Sequence, residues 1–167
     1  MGGKHDILTE NELSGFKLSP SISKALKKVH SQFPNLKPPE IKILDFGCGR
    51  GWSVAKLREQ NYCAYGVEID EKTMMNGYKL LAERNLPPQK ILRHVSRIID
   101  FPKSTFHFIF SEQVFEHVED LNFVISECSR VTIRHGIGMH QFPSSKEVWE
   151  SHLLMPFVHW LPKTKIR

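Results

Sequence analysis

Apolar residues along this chain recur in two alternating rhythms. Ile22, Ala25, Leu26, Val29 and Phe33 fall at helical spacing, which predicts an amphipathic helix. Ser19 precedes it as an N-cap, Pro20 takes the first helical position and Pro34 ends it. A short apolar run from Ile41 to Phe46 then stops in Gly47-Cys48-Gly49-Arg50-Gly51, and Trp52 to Gln60 favours helix. That is strand, glycine loop, helix. A second run, Cys63 to Ile69, leads into Glu71 to Arg84, with Met74, Tyr78 and Leu81 on one face. Lys90 to Val95 reads as a third strand and Thr105 to Ser111 as a fourth. Phe106, Phe108, Ile109 and Phe110 place β-favouring side chains on both faces of that strand, as the middle of a parallel sheet requires. Leu121, Val124, Ile125 and Cys128 form one helical stripe, and Gly136 to Phe142 a fifth strand.

Strands alternating with helices predict an α/β fold, a doubly wound, mostly parallel sheet of about five strands with helices on both faces and right-handed crossovers. Polar residues 1–19 read as a loose leader, 20–142 as the domain, and 143–167 as an aromatic-rich segment. No internal repeat interrupts this plan.

Composition narrows the class. A chain of 167 residues supplies one core, and 40% hydrophobic with 25% charged residues describes a globular protein rather than a disordered or fibrous one. No apolar run approaches the roughly 20 residues of a membrane span, and Met1 to Glu10 has no apolar signal region, so a cytoplasmic protein is expected. Cys48, Cys63 and Cys128 are well separated, with no CxxC pair, which points to reduced thiols rather than disulfides or zinc. Lysine plus arginine, 23, minus 18 acidic residues leaves +5. This charge is spread along the chain, and a nucleic-acid partner would need it clustered; the basic Lys163, Lys165 and Arg167 read as a solvated terminus.

In an open parallel sheet, ligands bind beyond the carboxyl ends of the strands, where strand order reverses. The glycine loop marks that place. Gly47, Gly49 and Gly51 allow a tight turn and close approach of the backbone to a ligand, and the following helix starts with unpaired amides. Dinucleotide sites carry GxGxxG, but here Asp45 leads into GxGxG and Trp52 follows. Such an aspartate can accept hydrogen bonds from loop amides or bind a cationic amino group, and neither role suits a pyrophosphate. A nicotinamide-dependent dehydrogenase is therefore disfavoured. Glu68 and Asp70 lie 21 and 23 residues beyond Gly47, where a carboxylate can take both hydroxyls of a ribose. Glu68 is the choice, because Asp70 also suits the N-cap of the next helix.

The run ILDFGCGRGWSV, the strand AYGVEID, the stretch IDFPKSTFHFIFSEQVFEHVEDL and the later ECSRV resemble the class I S-adenosylmethionine-dependent methyltransferases, above all their small-molecule branch. The resemblance spans roughly residues 41 to 142. It implies a Rossmann-like sheet, S-adenosylmethionine as cofactor, and an enzyme transferring a methyl group in line to a small or lipid-like acceptor. By position, Asp45, Gly47, Gly49 and Gly51 would line the methionine part and Glu68 would hold the ribose. Ser111 and Glu112 would lie beside the methionine and the methyl group.

The chain also departs from the pattern. Where the family often has an aspartate for the adenine amine, Val95-Ser96 stands, and Ser96 is a weak substitute. Phe106-His107 replaces a Phe-Asp pair, and Ile133-Arg134-His135-Gly136 replaces a Lys-Pro-Gly-Gly turn. The family's sheet has seven strands, whereas the pattern here stops at five, as in a C-terminally truncated product. Trp149, Glu150, His152, Pro156, Phe157, His159 and Trp160 resemble a substrate-side insertion rather than the last hairpin. An unpaired sheet edge invites aggregation, a homodimer or another partner. A rival reading is thus a truncated, non-catalytic cofactor-binding or scaffold protein that needs a partner.

Among single residues, His117 and His152 are weak candidates for a general base. His107 reads as a satisfied buried histidine and Cys48 as a packing residue rather than a nucleophile. His152 and His159 would need His140 or Glu150 to complete a metal site, so no metal is expected. Their tract reads first as a hydrophobic core helix, then as an aromatic lid over an apolar substrate. No Asn-Pro-Pro-Tyr-type motif follows the fourth strand, where the chain reads Ser111-Glu112-Gln113-Val114. A small-molecule acceptor is therefore preferred to protein or nucleic acid.

Overall fold

The computed structural model describes residues 15–95, 98–142, 149–150 and 155–156. Helix α1 (Pro20–Gln32) opens as expected, the Ser19 side chain accepting from the Ile22 amide at 3.2 Å. Strand β1 (Lys42–Phe46) and helix α2 (Trp52–Glu59) flank the glycine loop. Then come β2 (Cys63–Glu68), α3 (Glu71–Glu83), a short α4 (Pro88–Ile91), β3 (Leu92–His94) and β4 (Phe106–Glu112). Helix α5 (Leu121–Val131) and β5 (Thr132–Gln141) complete the sheet. Asp70 and Asp120 cap α3 and α5 through Thr73 N and Phe123 N, at 2.6 and 3.0 Å. Each such cap gives a partner to an amide that the first turn of its helix leaves unpaired.

All five strands are parallel, in the order β3-β2-β1-β4-β5. The chain steps outward from β1 to β3, then returns to the other side of β1 for β4, so order reverses between β1 and β4. On one face α1, α2 and α3 bury Ile22, Leu26, Val29, Val54, Leu57, Met74 and Leu81 against Ile43, Ala64, Phe108 and Phe110. On the other, Cys128 and Val131 of α5 pack with Ile99 and Phe101 on Leu44, Val67, Phe106 and Ile109. Burying each of Phe106, Phe108 and Phe110 stabilises the fold by about 1.5–3 kcal/mol.

Four local expectations change. Pro87 and Pro88 preset a helical turn, so the expected third strand from Lys90 is shortened to Leu92–His94. The apolar stripe on α5 is rotated: Leu121 and Ile125 are 41% and 49% exposed, while Glu127, Cys128 and Val131 are buried. The turn expected at Ile133 to Gly136 is absorbed into β5 as a bulge. Phe106 pairs with Thr132 and Phe108 with Ile137, with His135 at φ 64. Finally, β6 (Trp149–Glu150) pairs antiparallel with β7 (Met155–Pro156), which replaces the helix expected there. His152, Phe157, His159 and Trp160 lie outside the described residues.

Candidate functional site

The carboxyl ends of β1 and β2 are tied by the glycine loop. Gly47 and Cys48 both donate to the Val67 carbonyl, at 2.9 and 3.0 Å, and Gly51 donates to Cys48 at 2.8 Å. Gly47 sits at φ 75, and any β-carbon there would overlap the Val114 side chain. The loop thus interlocks with the turn after β4. Gly51, at φ 77, starts α2. At Gly49, φ 54, the space ahead is open, with Thr73 Cγ2 the nearest atom at 4.0 Å; this is where a ligand can reach the backbone.

Two carboxylates divide the roles anticipated for Asp45. The loop amide is taken by Glu68: its Oε2 accepts from Gly49 N at 2.8 Å, and Oε1 from Ile69 N and Asp70 N at 2.8 and 2.9 Å. Asp45 is 6% exposed and accepts no hydrogen bond among the described residues. Burial, then the neighbouring charges of Glu112 and Glu68, push its carboxyl well above the usual carboxylate range. A buried carboxylate left in this state is destabilising unless a cation joins it.

Beyond them opens a cleft of about 780 Å³, lined by Phe46, Gly47, Glu68, Ile69, Val95, Glu112, Val114, His117, Phe123 and Val124 among others. That volume suits a small-molecule ligand. Of the sequence-predicted residues, Gly47, Glu68, Glu112 and His117 line it. Asp45 and Ser111 are buried one position before lining residues on their strands, and Gly49 and Gly51 belong to the loop without lining the cleft. His117 is exposed on a 3₁₀ turn, Phe115–His117. Ser96 and His152 lie outside the described residues.

Sequence reasoning missed a polar pair. Ser111 Oγ and His140 Nδ1 share a hydrogen bond of 2.8 Å, and the His140 ring stacks on Phe115 with centroids 4.2 Å apart. Burial pushes the imidazole pKa of His140 down. The register pairing Ser111 with His140 across β4 and β5 was hidden by the bulge. Gln113, at φ 57, donates to the Gln141 carbonyl at 2.8 Å, and this bend delivers Val114 to Gly47.

Cys48 packs as read, and His107 is satisfied as read but half-buried rather than buried. His107 Nδ1 accepts from Lys42 N at 3.0 Å and meets Phe33 edge-on. The Cys48 thiol is buried, and burial with Asp45 and Glu68 raises its pKa well above the usual value, so it packs rather than attacks. Among the described residues no group of three His, Cys, Asp or Glu could hold a metal ion, and no helix is long and apolar enough to cross a membrane.

Residues 44–139 match the family described as methyltransferase domain. The chain belongs to this family. The methyltransferase fold is shared by an S-adenosylmethionine-dependent methyltransferase of Mesorhizobium loti, with TM-score 0.58 at 17% identity over 81% of this chain and 58% of that one. A SAM-dependent methyltransferase of Aquifex aeolicus gives TM-score 0.54 at 20% identity, over 76% and 69%. The cyclase SpnF gives 0.52 at 17% identity, over 69% and 42%. No curated protein matches the sequence. The methyltransferase chain spans about half the length of several solved structures that it matches. Family and fold bear out the resemblance to class I S-adenosylmethionine-dependent methyltransferases, and S-adenosylmethionine is the cofactor the family implies.

Proposed function

We propose that this chain binds S-adenosylmethionine at the carboxyl ends of β1, β2 and β4 and transfers its methyl group to a small or lipid-like acceptor. The observation that carries this reading is Asp45, a buried carboxylate without a hydrogen bond among the described residues, facing Glu112 and Glu68. The cofactor offers what that environment lacks, an ammonium and a sulfonium, together with a ribose and no pyrophosphate. The residues fit it. Glu68 Oε2 accepts one hydrogen bond and so retains a lone pair for a ribose hydroxyl, and the open space at Gly49 lets a ligand approach the loop.

When bound, the cofactor supplies an activated methyl group for an acceptor atom held in line with it. The chain's own work is positional. The Gly47–Val114 interlock fixes the turn that presents Glu112, and the Ser111–His140 bond holds the ends of β4 and β5 together. His117, on the cleft wall, is placed to take a proton from the acceptor. β5 ends the sheet order, so its outer edge is where a second copy or another partner would add.

Calorimetry tests the reading. S-adenosylmethionine should bind, NAD should not, and Glu68→Ala should weaken binding by about 1.5–3 kcal/mol, the worth of charge-assisted hydrogen bonds. Binding of NAD alone would overturn it. A second reading has one observation behind it: the same fold carries a protein named as a cyclase, so fold does not compel methyl transfer. Tight cofactor binding without turnover over a panel of acceptors, together with a multimeric native mass, would favour a non-catalytic, partner-dependent role.

A further inference from the structure

The connection from β3 to β4 is gripped at three successive residues by charged side chains. Ile99 N donates to Glu127 Oε2 at 3.0 Å, and Arg130 Nη2 donates to the Ile99 carbonyl at 2.8 Å. Arg130 Nη1 donates to the Phe101 carbonyl at 2.9 Å. From the β3 side, Arg93 Nη1 donates to the Asp100 carbonyl at 2.6 Å, and its guanidinium lies over the Phe101 ring, 4.1 Å from the centroid. Arg130 is itself fixed by Glu127, Nε to Oε1 at 2.7 Å and Nη2 to Oε2 at 2.8 Å.

The clamp is built on α5, the helix whose first turns also form a cleft wall through Phe123 and Val124. Val124 and Arg130 are six residues apart, about 9 Å along the axis. Val95, from the end of β3, lines the same cleft and packs on the apolar cluster that contains Ile99 and Phe101. One rigid helix therefore supplies one wall and anchors the segment on which another rests.

We infer that Glu127 and Arg130 are positioning residues: they fix the spacing between the Val95 and Val124 walls and thereby set affinity for the nucleoside half of the ligand. The identity of that ligand rests on the proposed function. A guanidinium suits the task, because its planar fork makes four hydrogen bonds here, two to Glu127 and two to carbonyls, one more than the three donors of an ammonium can supply.

The full chain is titrated by calorimetry with S-adenosylmethionine and with 5′-methylthioadenosine, which lacks the amino-acid end. Arg130→Ala should weaken both by the same factor, tenfold or more, and millimolar guanidinium should restore part of it. Asp45→Asn should weaken only S-adenosylmethionine. Should Arg130→Ala not fold, Arg130→Lys and Glu127→Gln keep the site filled and should show smaller losses for both ligands. Unchanged affinities in a folded variant, or a loss confined to S-adenosylmethionine, overturn the inference alone. A wild-type chain that binds neither ligand overturns the proposed function and the inference with it.

Discussion

Asp45 and Glu127 are both largely shielded from solvent, 6% and 9% exposed, yet their surroundings are opposite. Asp45 lies near two other carboxylates, and its carboxyl accepts no hydrogen bond among the described residues. Glu127 accepts from both Arg130 and the Ile99 amide, and these bonds hold its pKa below the usual glutamate range. Burial alone thus says little about a carboxylate. The partner matters as well: Glu127 is satisfied inside the protein and serves the fold, whereas Asp45 is where we propose that the cation of a ligand joins.

The largest effect should come from filling or removing the waiting charge. Asp45→Asn is expected to weaken S-adenosylmethionine binding by about 3–4 kcal/mol, as for removal of one partner of a buried ion pair, while raising the melting temperature of the unliganded chain. Calorimetry and thermal denaturation read the two arms. A variant that lost both affinity and stability would make Asp45 an ordinary structural group. Next, Glu127→Ala should destabilise by about 2–3 kcal/mol in urea, less than for a fully buried pair because Arg130 keeps a third of its side chain in water.

Titration sharpens the contrast, since the signs are opposite. The raised pKa of Asp45 means that its protonation favours the fold: unliganded stability rises as pH falls through that pKa, and Asp45→Asn removes the limb. The lowered pKa of Glu127 means that its stabilisation is complete above the ordinary glutamate pKa and is lost as pH falls through the folded value. Denaturation midpoints of the two variants against pH check both limbs. The smallest effect is expected from Ser111→Ala, about 1 kcal/mol for one buried hydrogen bond, with cofactor affinity retained.

Much of the fold was legible because strand and helix announce themselves by period. The glycine loop and the caps at Ser19 and Asp70 are local signals, and the structure places them as read. What escaped was non-local. The stripe on α5 was misplaced because Ile125 looks buried by type, whereas Glu127 is buried through Arg130 and the Ile99 backbone, a contact 28 residues away in sequence. His140 escaped because its partner lies on a neighbouring strand, beyond a bulge that shifts the count. That Asp45 leads into the glycine loop was legible, but its isolation was not, since Glu68 takes the loop amide that could have satisfied it.

The contact between Gly47 and Val114 limits how these two positions can change. Shrinking residue 114 would make room for an alanine at 47, yet the left-handed backbone at φ 75 would remain. Substitutions in the two loops should therefore be non-additive, and evolutionary drift at one position is admissible only within the envelope left by the other.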